Sequence, residues 1–401
     1  MSFAGVATMA PPFESVGADA FVIRGVIDEA DLDRVVKRVQ DATGQNRVFA
    51  DAGVDTTLTT CIHTPPVGTH DDVRRELGAA ELERREMTGR GVAVAIVDTG
   101  FNVAYLRQRG HAPHFDAAGS WSAEPTVSPG QARVGHGTMC AHSVLLAAPE
   151  ALLIDFPVLL HQPATTPLIK GILSDVIIAY NKLLQMMETQ ADARGFHSLV
   201  ISNSWGMYHP TWDFPPGNPG RYFDNPMHPF NRLVSSLASA GADIVFAAGN
   251  CGPACPDRRC QPIPGDVADR RISGANSHPE VLCVGGVDLR GAAVGYSTRG
   301  PGALQYDKPD LAAYTHFLGS EALGAGRPDL GTSTACPVAS GVVAALRSSF
   351  PYQSSNPRRT PARIAQYLRD TASNPLPSRW NADFGYGIVD TSQFDSAGNV
   401  L

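Results

Sequence analysis

The run Val92-Ala93-Val94-Ala95-Ile96-Val97 has no polar break. An unbroken apolar run of this length fits a strand covered on both faces, as in the interior of a parallel sheet. Comparable strand patterns recur at Ala151–Val158, Ser198–Ser202, Asp243–Ala248 and Val281–Val287. Helical patterns lie between them, at Gly137–Ala147, Ile169–Thr189 and Pro229–Ala240. Strand–helix alternation requires right-handed crossovers, so the expected fold is α/β, a doubly wound and mostly parallel sheet with helices on both faces. Met207–Asn225, rich in proline, glycine and aromatic residues, reads as a long surface loop.

The chain of 401 residues is long enough for a large domain and a smaller one. Its net charge of -7 carries no electrostatic footprint for nucleic acid and no polybasic membrane signal. The most apolar stretch, Ser143–Leu160, is broken by Pro149, Glu150, Asp155 and Pro157, so no membrane span is expected. Met1–Pro12 lacks the basic and apolar regions of a secretory signal. Seven cysteines, an odd number, fit poorly with a fully disulfide-bonded scaffold. A cytoplasmic location is therefore expected, with export by another route left open. Nothing in the sequence fixes an oligomeric state.

Four segments organise the chain. Residues 1–18 are expected to be flexible. Residues 19–64 form a small α/β unit, with a strand at Phe21–Ile27, a helix at Asp28–Gln40 and short strands around Gly53. A linker with a charged helix, Asp71–Arg85, occupies 65–91, and the main domain spans 92–401.

Ligands and catalytic groups of open α/β sheets gather at the carboxyl ends of the strands. Asp98 closes the first long strand, His136 opens a helix within Gly135-His136-Gly137-Thr138, and Asn250 follows Val245–Gly249. Ser333 sits in Gly331-Thr332-Ser333-Thr334-Ala335-Cys336-Pro337, a glycine turn running into an apolar helix with proline in its first turn. Free N–H groups and the positive dipole end face that serine. A serine hydroxyl is a weak nucleophile until an imidazole takes its proton, and the imidazole needs a carboxylate on its other nitrogen. The oxyanion then needs donors, which the Asn250 amide and the Ser333 N–H would supply.

The blocks Val94–Gly100, His136-Gly137-Thr138, Ser202-Asn203-Ser204-Trp205-Gly206, Ala247-Ala248-Gly249-Asn250 and Gly331–Pro337 resemble the motifs of subtilisin-like serine proteases, in that family's order of Asp, His, Ser. The resemblance implies a serine endopeptidase working through an acyl-enzyme. Asp98 would orient His136, the general base and then acid; Ser333 would be the nucleophile and Asn250 an oxyanion donor. The substrate would lie extended along Ser204, Trp205 and Gly206, with Ala247, Ala248 and Gly249 walling the pocket for the residue before the cleaved bond. It also implies that 19–64 stands where the family carries an inhibitory propeptide. Self-processing between residues 61 and 75 and an uncleaved extension both remain open. A protease dedicated to one partner or leader peptide is the alternative enzyme reading, and an inert peptide-binding pseudoprotease is the non-enzyme one. No cofactor is required, no metal ligand is assigned, and the structural calcium common in the family has no assignable site here.

Three positions depart from the pattern. Val338 stands where a histidine is usual, and Thr334 and Cys336 stand where other small or apolar residues are usual; Cys336 lies near the nucleophile in sequence, where thiol reagents would act by bulk. Cys251, Cys255 and Cys260 lack the fourth ligand of tetrahedral zinc, so a disulfide between two of them, or reduced thiols in a rigid loop, is expected.

Overall fold

The computed structural model describes residues 6–9, 20–44, 47–57, 61, 65–160, 170–189, 195–260, 271–374 and 379–394. The chain begins with β1 (Val6–Met9) paired antiparallel to β2 (Ala20–Ile23), then α1 (Leu32–Thr43), closed by Gly44 in the left-handed region. β3 (Gly53–Thr56) follows, then α2 (His70–Glu76) and α3 (Ala79–Arg84). The helix expected at Asp71–Arg85 is thus two, because Gly78 adopts a φ of 57° between them.

The main body contains β4 (Val92–Asp98), α4 (Val103–Gln108), β5 (His114–Phe115), α5 (His136–Val144), β6 (Leu152–Pro157), β7 (Gly171–Ile172), α6 (Leu173–Thr189), β8 (Ser198–Asn203) and β9 (Trp205–Gly206). It continues with α7 (Pro229–Ala240), β10 (Asp243–Ala247), β11 (Leu282–Val287), β12 (Leu311–Tyr314), α8 (Thr332–Ser349) and α9 (Pro361–Thr371).

Among the described residues the main sheet has seven strands in the order β12-β11-β10-β8-β4-β6-β5, and every pairing is parallel. Helices cover both faces, as expected for a doubly wound α/β fold. One face packs against α5 and α8 in a core that includes Val94, Ile96, Val144, Val342 and Leu346. The other packs against α6 and α7 around Ala95, Tyr180, Phe230 and Phe246. Strand order reverses between β4 and β8, and such a reversal opens a crevice at the carboxyl ends of the strands.

α8 spans the sheet from the crevice to the far rim. At its far end the buried Arg347 forks onto the Asp243 carboxylate at the start of β10, with Nη2 2.9 Å from Oδ1, and donates to the carbonyls of Phe350 and Arg359. Burial pushes the Asp243 carboxyl up while the guanidinium pulls it down. No helix among the described residues is long and apolar enough to cross a membrane.

Removing one partner of a buried, hydrogen-bonded ion pair strands the other. Arg347→Met should lower the unfolding free energy at pH 7 by about 3–5 kcal/mol in urea denaturation. The deficit should shrink at acidic pH, where Asp243 takes a proton; an undiminished deficit would mean that the loss comes from packing alone.

Candidate active site

Asp98 ends β4 at the strand reversal, and its carboxylate is buried. Oδ1 lies 2.7 Å from His136 Nδ1 and also accepts the Thr99 N–H at 2.7 Å. A carboxylate can only accept, so the contact with Asp98 is made by the Nδ1–H of His136. Among the described residues His136 Nε2 has no hydrogen-bond partner. His136 begins α5, whose first turn is tied to the Asp98 strand by Thr99 Oγ1, which accepts the Gly137 N–H at 3.0 Å. One turn on, the Cys140 thiol lies 3.7 Å from Asp98 Oδ2 and 3.6 Å from the Ser333 carbonyl. Burial pushes that thiol well up, so it stays protonated and donates.

Ser333 lies in the first turn of α8, its carbonyl on the Cys140 thiol, and is buried. Gly331 precedes it with a φ of 77°, and a side chain there would collide with the Thr57 carbonyl and the Asn250 amide. Asn250 is held by its own acceptor end. Its Oδ1 takes the Thr332 N–H and hydroxyl, both at 3.0 Å, which aims Nδ2 into the crevice.

The crevice holds a segment of the chain's own N-terminal region. β3 lies between β7 and β9, antiparallel to both, pairing Asp55 with Gly206, Thr56 with Trp205 and Val54 with Gly171. The Thr57 N–H donates to the Ser204 carbonyl at 2.8 Å. The Thr57 carbonyl accepts the Asn250 Nδ2 hydrogen and the Ser333 N–H, the latter at 3.3 Å. The Ser333 hydroxyl pairs with Thr57 Oγ1 at 2.8 Å, not with His136.

The tertiary fold thus brings together Asp98, His136, Ser333 and Asn250. Of the expected substrate-binding residues, Ser204, Trp205 and Gly206 run beside the bound segment through their backbones. The Trp205 ring turns into the core against Phe230 and Phe246. Ala248 and Gly249 line the pocket beside Thr57, along with Phe223 and Thr298. Ala247 does not: its side chain is in the core, and its carbonyl is held, like that of Trp205, by Asn276 Nδ2 at 2.8 Å.

Asn276 therefore clamps the two walls of the cleft together, and no motif marked it. Thr57 was missed for a similar reason, since it reaches the site from the N-terminal region through strand pairing alone. Among the described residues it is Thr57 that lies against the Ser333 hydroxyl; residues 62–64 of the expected processing segment lie outside the described residues. Cys336 points under the sheet toward the Asn203 and Val245 carbonyls, and burial raises its thiol to about 11, so a reagent in the cleft would not meet it. Val338 packs in the core.

Cys251 pairs with Cys260, and Cys255 with Cys61, so the thiol-rich loop is closed by disulfides. Cys140, Cys283 and Cys336 are free and buried.

A model of the subtilase family matches residues 89–387. Serine protease AprX of Bacillus subtilis is 28% identical over 326 residues, covering 71% of this chain and 62% of that protein. The mouse membrane-bound transcription factor site-1 protease is 27% identical over 339 residues, 79% of this chain and 26% of its own. Mycosin-4 of Mycobacterium tuberculosis is 33% identical over 174 residues, 39% of this chain and 35% of that protein. The chain thus spans less than two thirds of these relatives. With its motifs in order and a family match across the whole sheet and the crevice, the chain belongs to the subtilase family of serine peptidases.

Proposed function

We propose that the chain is a serine endopeptidase in which Asp98, His136 and Ser333 form the catalytic triad, and Asn250 and the Ser333 N–H form the oxyanion hole. The observation that carries this reading is the Thr57 carbonyl, received by both donors with the Ser333 hydroxyl beside it. For reaction the Ser333 hydroxyl exchanges Thr57 Oγ1 for His136 Nε2. His136 takes the proton as Oγ attacks the carbonyl carbon, and the imidazolium is held by Asp98. Collapse of the tetrahedral intermediate gives the proton to the departing amine and leaves an ester on Ser333, which water then hydrolyses. The cleft walls β7 and β9 would bind an extended peptide by backbone pairing. A pseudoprotease needs none of these four groups in register, which favours an active enzyme.

The bound segment supports self-processing at the Thr57–Leu58 bond and a zymogen in which the first 57 residues block the cleft. Residues 19–64 then act as a propeptide-like unit whose functional end is Thr57. The cut fragment 1–57 contains no cysteine, whereas Cys61 stays tethered to Cys255, so the new N-terminus would remain attached while the fragment leaves. Two disulfides persist in an oxidising compartment and are rare in the cytosol, which argues for export over the cytoplasmic expectation. A dedicated processing role for one partner or leader peptide has no separate observation behind it.

A fluorophosphonate probe should label wild type at Ser333, and Ser333→Ala should abolish both labelling and peptide hydrolysis while melting like the parent. Asn250→Ala should keep labelling detectable but lower kcat by roughly 10²–10³, the loss known for the corresponding donor in subtilisin. Turnover of Ser333→Ala at the parent's rate would remove the nucleophile assignment. Intact-mass analysis should find wild type starting at Leu58 and Ser333→Ala uncut; equal masses would argue against self-cleavage.

A further inference from the structure

The cleft makes one contact that backbone pairing does not require. Asp55, the third residue before the Thr57–Leu58 bond, is buried, and its Oδ2 lies 2.6 Å from Arg259 Nη1. Lys170 Nζ, on the opposite wall, is 3.9 Å from its Oδ1. The guanidinium is also held by residues outside the bound segment. Nε and Nη2 engage Asp257 at 2.8 and 3.1 Å, and the guanidinium plane lies over the Tyr208 ring, 4.0 Å from its centre. Tyr208 in turn donates its hydroxyl to the Thr56 carbonyl at 2.8 Å, so the side-chain contact and the backbone contact share one support.

Arg259 is also built onto the reacting centre. The Asp257 N–H donates to the Asn250 carbonyl at 2.9 Å, and the Cys251–Cys260 disulfide closes the loop beginning at the residue after Asn250. A planar fork with one edge on Asp257 presents Nη1 to a carboxylate in a fixed direction.

From this geometry we infer that Arg259, with Lys170, forms a subsite that selects an acidic side chain at the third residue before the cleaved bond. The substrate class is extended peptides carrying Asp or Glu there, of which Val54-Asp55-Thr56-Thr57 is the chain's own example. A neutral side chain at that position would give up the Asp55–Arg259 ion pair, whose guanidinium is nine-tenths buried, and a basic one would face that guanidinium directly. The inference rests on the active-enzyme reading above.

The test uses the full-chain protein and acetylated tetrapeptides Val-Asp-Thr-Thr, Val-Asn-Thr-Thr and Val-Lys-Thr-Thr on an aminomethylcoumarin leaving group. Losing a charge-assisted hydrogen bond predicts kcat/KM at least about tenfold higher for the aspartyl than the asparaginyl peptide, with the lysyl peptide slowest. Arg259→Gln should bring the aspartyl and asparaginyl values together, and Arg259→Glu should raise the lysyl peptide above the aspartyl one. Wild-type values for the aspartyl and asparaginyl peptides within about twofold of each other would overturn the subsite but leave the protease reading intact. That comparison needs no variant, so it holds even if substitutions at Arg259 disturb the loop. No turnover and no fluorophosphonate labelling would overturn the nucleophile assignment and this subsite with it.

Discussion

One carbonyl oxygen fixes the geometry of the crevice. The Thr57 carbonyl is received by the Asn250 amide and the Ser333 N–H of α8, and each of those donors is positioned from a different part of the fold. Asn250 follows β10 and is aimed by Thr332, while Ser333 is aimed by the helix itself. α8 is anchored at the opposite rim by the Arg347–Asp243 pair. Donors held this rigidly need not reorganise when charge develops on an oxygen between them, which is the physical basis of oxyanion stabilisation.

The proposed acid–base pair is built on the same sheet by a different device. Asp98 and His136 come from consecutive elements, β4 and α5, and Thr99 joins them by capping the helix. Cys140, one helical turn beyond His136, spans the gap between Asp98 and the Ser333 backbone. The two halves of the site meet because α5 and α8 pack closely. A side chain at Gly341 of α8 would strike the Val144 carbonyl of α5. The small-residue run after Pro337 therefore serves helix approach, and the approach serves the site.

In the proposed zymogen, inhibition and recognition would share one set of contacts. β3 completes a small sheet with the two cleft walls, and its side chains alternate in what they meet. Val54 enters the core shared with Leu159 and Leu173, and Asp55 meets Arg259 on the disulfide-closed loop. Met207–Asn225, read as a surface loop, is pinned by Asp213, whose carboxylate accepts the N–H groups of Phe214, Tyr222 and Phe223. Tyr208 near its start reaches the bound segment, so the loop belongs to the cleft.

Patterns that repeat over a few residues were readable from the chain alone. Apolar runs gave the strands β4, β6, β8, β10 and β11, the 3.6-residue period gave α6 and α7, and strand ends gave Asp98 and Asn250 as site residues. The short strands β7 and β9 have two residues each and carry no period to detect. β12, α4 and α9 were likewise not anticipated, and Leu77-Gly78 divided a helix whose charged pattern looked continuous. Contacts across long separations were decided only in three dimensions: Thr57 with Ser333, Cys61 with Cys255, and Asp55 with Arg259, 204 residues apart. The reason is physical. Local periodicity records which face of an element is buried, whereas the partner a polar side chain meets depends on how distant elements are brought together.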